Sequence, residues 1–441
     1  MKVGVPKETV EGERRVALVP ETVGKLVSRE GFEVLVEAGA GRDYNPDEAY
    51  EEAGARIVAD ARELYGEADI VVKVGRATAD EAELMHEGTL LVSFLAPHAD
   101  PELIGRLAER GITAFGMELI PRIARAQSMD ALSSMGSIAG YKSTLIAAGA
   151  LGKYLPMMTT AAGTTKASRV LVLGAGVAGL QAIATSRRLG AEVFGFDIRP
   201  EVKEQIESLG AKFVEAEPEQ PEPAPEEAPE EVEERGGLGG LLDRVRLALG
   251  VPAADARPSE DGRAQGGEEP EEEEEEEAPQ DTGGYAREQA EEKQRRDREL
   301  IHSFVKEVDV VITTALIPGR PAPVLLTEEM VDDMPPGSLV VDLAAEAGGN
   351  CELTEAGKVV SHGMVEIHGP LNLPSTMPIH ASQLFARNVN SVLSHVVHEG
   401  ELVLDFEDEI TDQAVVTHAG EVRHGPTREA LGGEKAETKA G

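Results

Sequence analysis

Short apolar runs bounded by Gly, Pro or charge alternate along this chain with longer segments whose apolar residues recur every three or four positions. Towards the amino terminus the runs are residues 2–5, 33–37, 69–74, 89–95 and 112–115, and residues 21–30 form one of the helix-like segments between them. Strands alternating with helices at this spacing predict a mostly parallel sheet covered on both faces, because a parallel strand needs a crossover helix to bring the chain back. A helical stretch rich in Ala, Ser and Gly, from about 130 to 155, then leads to a second series at 170–173, 192–196, 212–214, 308–313, 339–343 and 359–360. The fold class expected is α/β, two doubly wound domains with a cleft between them. The first is discontinuous, 1–132 with 367–400, since a helical segment at 382–397 returns to it. The second spans 133–366, and 401–441 is a C-terminal extension.

A tract rich in Pro, Glu and Gly at 215–282 interrupts the second series and carries an unbroken Glu run from 271 to 277. Such a composition cannot bury enough apolar surface to offset chain entropy, so a disordered acidic insert is expected. Within it Leu242, Val245, Leu247 and Leu249 suit a short amphipathic turn, either a docking segment or a helix with no partner. Of the formal charge of −39, a net −19 lies between Glu215 and Asp281, where 24 Asp and Glu face five Arg, and −20 is left on the rest of the chain. That surface repels phosphate, which excludes broad nucleic-acid binding. Acid on the folded part as well as the insert points to adaptation to concentrated salt, where a Debye length of a few Å screens the self-repulsion. No run of about eighteen apolar residues occurs, and residues 1–8 open on a strand and charge rather than a basic stretch and an apolar block. A protein neither secreted nor membrane-spanning is expected. The single Cys351 cannot form an internal disulfide and reads as a small buried apolar residue in a reducing cytoplasm.

Two stretches carry chemistry. Leu171 to Leu180 places Gly174, Gly176 and Gly179 as Gly-x-Gly-x-x-Gly directly after an apolar strand and at the start of an Ala-rich helix, which makes the second domain Rossmann-like. Gly174 permits a tight turn, Gly176 leaves room for pyrophosphate, and Gly179 lets helix and strand approach, with phosphate charge on the helix amino terminus. Asp197 ends the next strand, where an acid hydrogen-bonds both ribose hydroxyls of an adenosine and repels a 2′-phosphate, favouring NAD over NADP. Arg199, two residues on, pulls the other way. The second stretch, Pro121 to Ser134, sets Arg122, Arg125, Gln127, Asp130, Ser133 and Ser134 between the first domain and the connecting helix. From the residues alone it is as compatible with a helix cap and surface charge as with ligand contacts. His98, His302, His362, His368 and His380 have no metal-ligand spacing, so no metal site is expected.

The run from Arg122 to Ser134 resembles the signature of the alanine dehydrogenase and transhydrogenase alpha-subunit superfamily, in its transhydrogenase branch. So do Val3 to Glu8, Thr313 to Gly319 and Asp342 to Cys351. The resemblance covers nearly the whole chain outside the insert and the last residues. It implies the soluble NAD(H)-binding domain I of a proton-translocating transhydrogenase, which passes a hydride to NADP(H) on a partner beta subunit while a membrane subunit moves protons. It further implies that Arg122 and Gln127 contact the nicotinamide end, with Gln127 also near the partner's nucleotide. Asp130 and Ser133 would orient the nicotinamide carboxamide. Gly174, Gly176, Val177 and Gly179 would cradle the phosphates, and Asp197, Ile198, Arg199 and Leu316 the adenosine. Gly284 and Tyr285 match the family's mobile loop, which the insert lengthens. A homodimer is implied as well, placed in the cytoplasm and held at the inner face of the membrane by its partners. The chain closes in Glu, Lys and Gly after His424 rather than in apolar spans, which suits a split arrangement in which it docks without inserting.

Two other readings start from the same residues. An alanine-dehydrogenase-like enzyme would bind a 2-oxo acid, and Arg15 and Lys73 stand where that family's carboxylate and carbonyl binders do. Ala96 replaces its acid–base histidine, however, and His98 is offset by two residues. A non-catalytic NAD(H)-sensing module would keep Gly174 to Asp197 without needing Arg122, Gln127 and Ser133. Salt adaptation is open to a direct check: the melting temperature should rise between dilute buffer and molar salt, and a melt that does not move would contradict it.

Overall fold

The computed structural model describes residues 1–28, 32–42, 44–215, 283–316 and 319–432. All of the expected insert except Glu215 lies outside the described residues, its 242–249 segment included. The chain divides into a unit of residues 1–215 with 294–441 and a unit of residues 216–293. Of the second unit, residues 283–293 are described, as the opening turns of the helix Gly283–Val305. Gly284 and Tyr285, expected in a loop, are therefore helical. The run that follows them, rich in Ala, Arg, Glu, Gln and Lys, has the composition of a strong helix former.

The first unit contains two sheets of like topology. Strands β1 (Lys2–Val5), β2 (Glu33–Glu37), β3 (Arg56–Val58), β4 (Ile70–Val72), β5 (Leu90–Ser93) and β6 (Thr113–Gly116) lie parallel in the order β3-β2-β1-β4-β5-β6. β4, β5 and β6 are buried throughout, as parallel strands covered on both faces require. Val415–His418 and Glu421–Val422 extend this sheet as antiparallel strands beyond β6. They come from the region expected as an extension, where Ala414, Val415 and Val416 are too short a run to tell a strand from a helix end.

A two-stranded hairpin follows, β7 (Met158–Thr160) and β8 (Gly163–Thr165). The second sheet takes β9 (Arg169–Leu173), β10 (Glu192–Phe196), β11 (Lys212–Phe213), β12 (Val310–Thr313), β13 (Leu339–Asp342), β14 (Val359–His362) and β15 (Val365–His368). Its order is β11-β10-β9-β12-β13-β15-β14, parallel except for the edge strand β14. In both sheets the chain winds outward from the central strand in one direction, then crosses over to continue on its other side. This leaves a switch point at β1/β4 and another at β9/β12, where α/β folds bind ligands at the carboxyl ends of the strands.

One helix, Ala131–Ala150, belongs to both cores. Ala131, Met135 and Ile138 pack with Phe385 and Val389 under the first sheet; Ala147 packs with Val170, Val172 and Ile183 under the second. Asp130 caps it through the Ser133 N–H (2.8 Å). It stops at Leu151, short of the expected 155, where Gly152 and Pro156 follow. Its middle lies against the helix Val177–Arg188 so closely that a Cβ on Gly140 would stand 2.0 Å from the Ala178 carbonyl oxygen. The obstructing atom is backbone, so Gly140→Ala should cost at least the upper part of the ordinary overpacking range of about 1–3 kcal/mol. Denaturant unfolding measures it, and a loss below about 0.5 kcal/mol would show that the two helices separate freely.

Candidate functional site

At the second switch point the chain leaves β9 and turns at Gly174, whose φ of +96° an L side chain rarely adopts. The Gly174 N–H donates to the Phe196 carbonyl (2.8 Å), and its own carbonyl accepts the Thr314 hydroxyl (3.0 Å), so the turn is tied to the ends of both neighbouring strands. A Cβ on Gly179 would lie 1.8 Å from the Gly174 oxygen, which makes that glycine a packing requirement. A Cβ on Gly176, by contrast, meets nothing within 4 Å. Gly176 caps the helix Val177–Arg188 without a side-chain partner for the first-turn N–H groups. The turn thus combines a fixed backbone, open space and a helix amino terminus, which is what a phosphate needs.

Asp197 stands just beyond β10 with its side chain 7% exposed. Its Oδ2 accepts the Ala175 N–H (2.7 Å), and its two oxygens take Nε (2.9 Å) and Nη2 (3.0 Å) of Arg199. Burial alone would raise this carboxyl; the donated hydrogen bonds outweigh it and hold the group below the ordinary aspartate range. Large apolar side chains lie open on either side: Ile198 is 64% exposed after β10, Leu316 is 55% exposed after β12, and Val177 is 41% exposed at the helix start. A dinucleotide fits this set: an acid at the strand end for a ribose, a bare turn for pyrophosphate, and apolar walls for a planar base.

Of the residues expected around the nicotinamide, Asp130 and Ser133 are joined twice, by the Ser133 N–H and by its hydroxyl (2.5 Å). Ser133 is one turn ahead of Gly136, which faces Val177 and Ala178 at 3.8 Å, so this pair lies on the helix that approaches the glycine turn. Arg122 and Gln127 are exposed, and neither side chain has a hydrogen bond or ion pair among the described residues, so nothing joins them to the glycine turn there. Arg125 instead pairs with Asp408, and the Ser128 carbonyl accepts from the Asn388 amide (2.8 Å). The Tyr285 side chain lies outside the described residues. Sequence reasoning missed Thr314, whose clamp on Gly174 has no signal beyond its place after a strand.

The first domain's switch point is filled by its own charges. Arg15 forks onto Glu13 (2.7 and 2.5 Å), which also accepts the Asn372 amide (3.0 Å) and is held at about 2, as Arg15 overrides the effect of burial. Lys73, 1% exposed, meets Glu81 at 2.7 Å and Glu8 at 3.7 Å, and burial lifts the Glu8 carboxyl to about 6. Ala96 occupies a left-handed turn (φ +48°), and the His98 ring packs edge-on against His424. Cys351 is buried, with its thiol pushed up to about 11, so it is no nucleophile.

Residues 4–139 match the family described as Alanine dehydrogenase/PNT, N-terminal domain, and residues 143–425 match Alanine dehydrogenase/PNT, C-terminal domain. The chain is 41% identical over 432 residues to an NAD(P) transhydrogenase subunit alpha polypeptide of Rhodospirillum rubrum, spanning 96% of this chain and 98% of that one. It is 40% identical over 444 residues to NAD(P) transhydrogenase subunit alpha of Haemophilus influenzae, spanning 100% and 75%. The crystal structure of transhydrogenase from Sinorhizobium meliloti aligns with a TM-score of 0.73 at 38% identity, covering 97% of this chain and 100% of that one. Two sheets of one topology, a glycine turn at the second switch point and these full-length relatives lead to one conclusion: the chain belongs to the alanine dehydrogenase/PNT family, in company with the alpha subunits of NAD(P) transhydrogenases.

Proposed function

We propose that this protein is the NAD(H)-binding subunit of a proton-translocating, Re/Si-specific NAD(P) transhydrogenase, active only with a membrane subunit and an NADP(H)-binding beta subunit. The observation that carries the reading is the fixed Gly174 turn opening onto Asp197 and the exposed Ile198 and Leu316. Bound NADH supplies a hydride, and its direct passage to a second nicotinamide creates no alkoxide or amine. The chain's residues therefore need only bind, orient and exclude water. Asp130 and Ser133, already locked together, suit the orienting of a carboxamide; Arg122 and Gln127 are unengaged among the described residues and suit contact with a ring and with a docked partner. Arg199 is occupied by Asp197, which supports NAD over NADP.

The same reading puts the protein in the cytoplasm, at the inner face of the membrane through its partners; among the described residues no helix is long and apolar enough to cross a membrane. The acidic surface supports a salt-adapted protein. An alanine-dehydrogenase reaction is disfavoured because Arg15 and Lys73 are neutralised by Glu13 and Glu81 and Ala96 offers no proton. A homodimer is supported by the hairpin β7–β8, exposed at every strand position, and by Tyr154 (59%), Met157 (65%) and Met158 (38%) beside or within it.

Gln127→Asn should leave NADH affinity within about threefold while lowering hydride transfer in the complex with partner subunits by about tenfold or more. Equal losses in both would reduce Gln127 to a binding residue, and turnover of alanine or of pyruvate with ammonia by the chain alone would contradict the proposal. Light scattering should give the mass of two chains, and Met157→Asp should shift it towards one; a monomeric wild type would contradict the dimer.

A further inference from the structure

Asp342 ends β13 and is fully buried, yet it has no basic partner among the described residues. Five donors satisfy it. The Thr313 hydroxyl (2.8 Å) and the Ala344 N–H (2.9 Å) reach Oδ1; the Asn350 N–H (2.7 Å), the Cys351 N–H (3.1 Å) and the Thr354 hydroxyl (2.7 Å) reach Oδ2. Hydrogen bonds of this number to a carboxylate fix the backbone around it. What they fix first is Asn350.

The Asn350 side chain, in a fully buried residue, turns towards the chain just beyond β12. Its Oδ1 accepts the Ala315 N–H (3.0 Å), and its Nδ2 donates to the Ala315 carbonyl (2.9 Å) and to the Pro323 carbonyl (2.7 Å). Both backbone groups of Ala315 are thereby paired by one carboxamide, as a neighbouring strand would pair them. Ala315 lies between two residues at the nucleotide site. Before it, the Thr314 hydroxyl holds the Gly174 carbonyl; after it, Leu316 stands exposed at the mouth.

We infer that Asn350 is a positioning residue for the nucleotide, setting the distance between the Gly174 turn and the Leu316 wall by holding Ala315 from behind. The inference rests on the proposed reading of Gly174 and Leu316 as nucleotide contacts. Asn350 itself touches no ligand, so its effect passes through the loop. A buried amide that served only stability would lower the melting temperature without a selective effect on nucleotide affinity.

The test is NADH titration of the full chain, wild type against Asn350→Asp, from pH 8 to pH 5. Once ionised, the new carboxyl loses the Nδ2 donor and sets an anion against the carbonyls of Ala315 and Pro323; once protonated, it regains one donor. Burial beside Asp342 should raise its pKa, bringing that change into the measured range. NADH binding should be weakened about tenfold at pH 8, and the gap to wild type at the same pH should close to about twofold at pH 5. The loss should also be less than additive with that of Leu316→Ala, since both act on one contact. Asn350→Ser carries no charge and keeps the measurement possible if Asn350→Asp does not fold at pH 8; it should weaken NADH about fivefold at all pH values. Wild-type affinity in both Asn350 variants, or an Asn350→Asp loss independent of pH and strictly additive with Leu316→Ala, would overturn the inference alone. Failure of the wild type to bind NADH would overturn the nucleotide reading, and this inference with it.

Discussion

The close contact between the helices Ala131–Ala150 and Val177–Arg188 is the constraint on which the molecule depends. The first helix contributes side chains to the cores of both sheets, and the second begins at the glycine turn. They can approach so far only because position 140 has no side chain. Thr144 adds a hydroxyl that donates across the seam to the Ala182 carbonyl (3.2 Å), so the contact is polar as well as steric. A helix shared by two cores cannot be displaced without disturbing both. The capped end with Asp130 and Ser133 is thus held in a fixed relation to the turn at Gly174, and positioning of this kind is the principal demand that a hydride transfer makes on a protein.

The two switch points share one topology but differ in their electrostatics. In the second, Asp197 is drawn down by N–H donors while open space remains at Gly176 and apolar side chains stay exposed nearby. In the first, Arg15, Lys73 and three glutamates neutralise one another in a site from which solvent is nearly absent. Leaving any of these charges unpaired in such a place would be costly. The carboxyl ends of the two sheets meet, with the His98 ring about 3.3 Å from where a Gly319 Cβ would lie and the Asn372 N–H donating to Glu346 (2.6 Å). Binding and charge neutralisation are thus divided between the two halves of one cleft.

Much of this was legible in the sequence. Apolar runs located most strands of both sheets, because buried parallel strands are nearly continuous in Val, Ile and Leu. The spacing of Gly174, Gly176 and Gly179 with Asp197 located the turn and its acid. What stayed hidden depends on contacts distant in the chain. Gly140 reads like Gly136 or Gly149 until the opposing Ala178 is known. The strand Val415–His418 joins a sheet whose neighbouring strand ends about three hundred residues earlier, and its three-residue apolar signal says nothing of that partner. Glu13 stands two residues from Arg15 and could be paired with it by eye, but its bond to Asn372 could not. Thr314 and Asn350 are ordinary polar residues in a sequence; only the fold reveals that one clasps the glycine turn and the other holds the loop behind it.

The central claim is that the second switch point receives NAD(H), and the most direct measurement is titration of the isolated full chain with NADH and with NADPH in molar salt, followed by nicotinamide fluorescence. The account predicts saturable NADH binding with NADPH weaker by about tenfold or more, since Asp197 faces the ribose and Arg199 is already engaged. Equal or tighter binding of NADPH would contradict it.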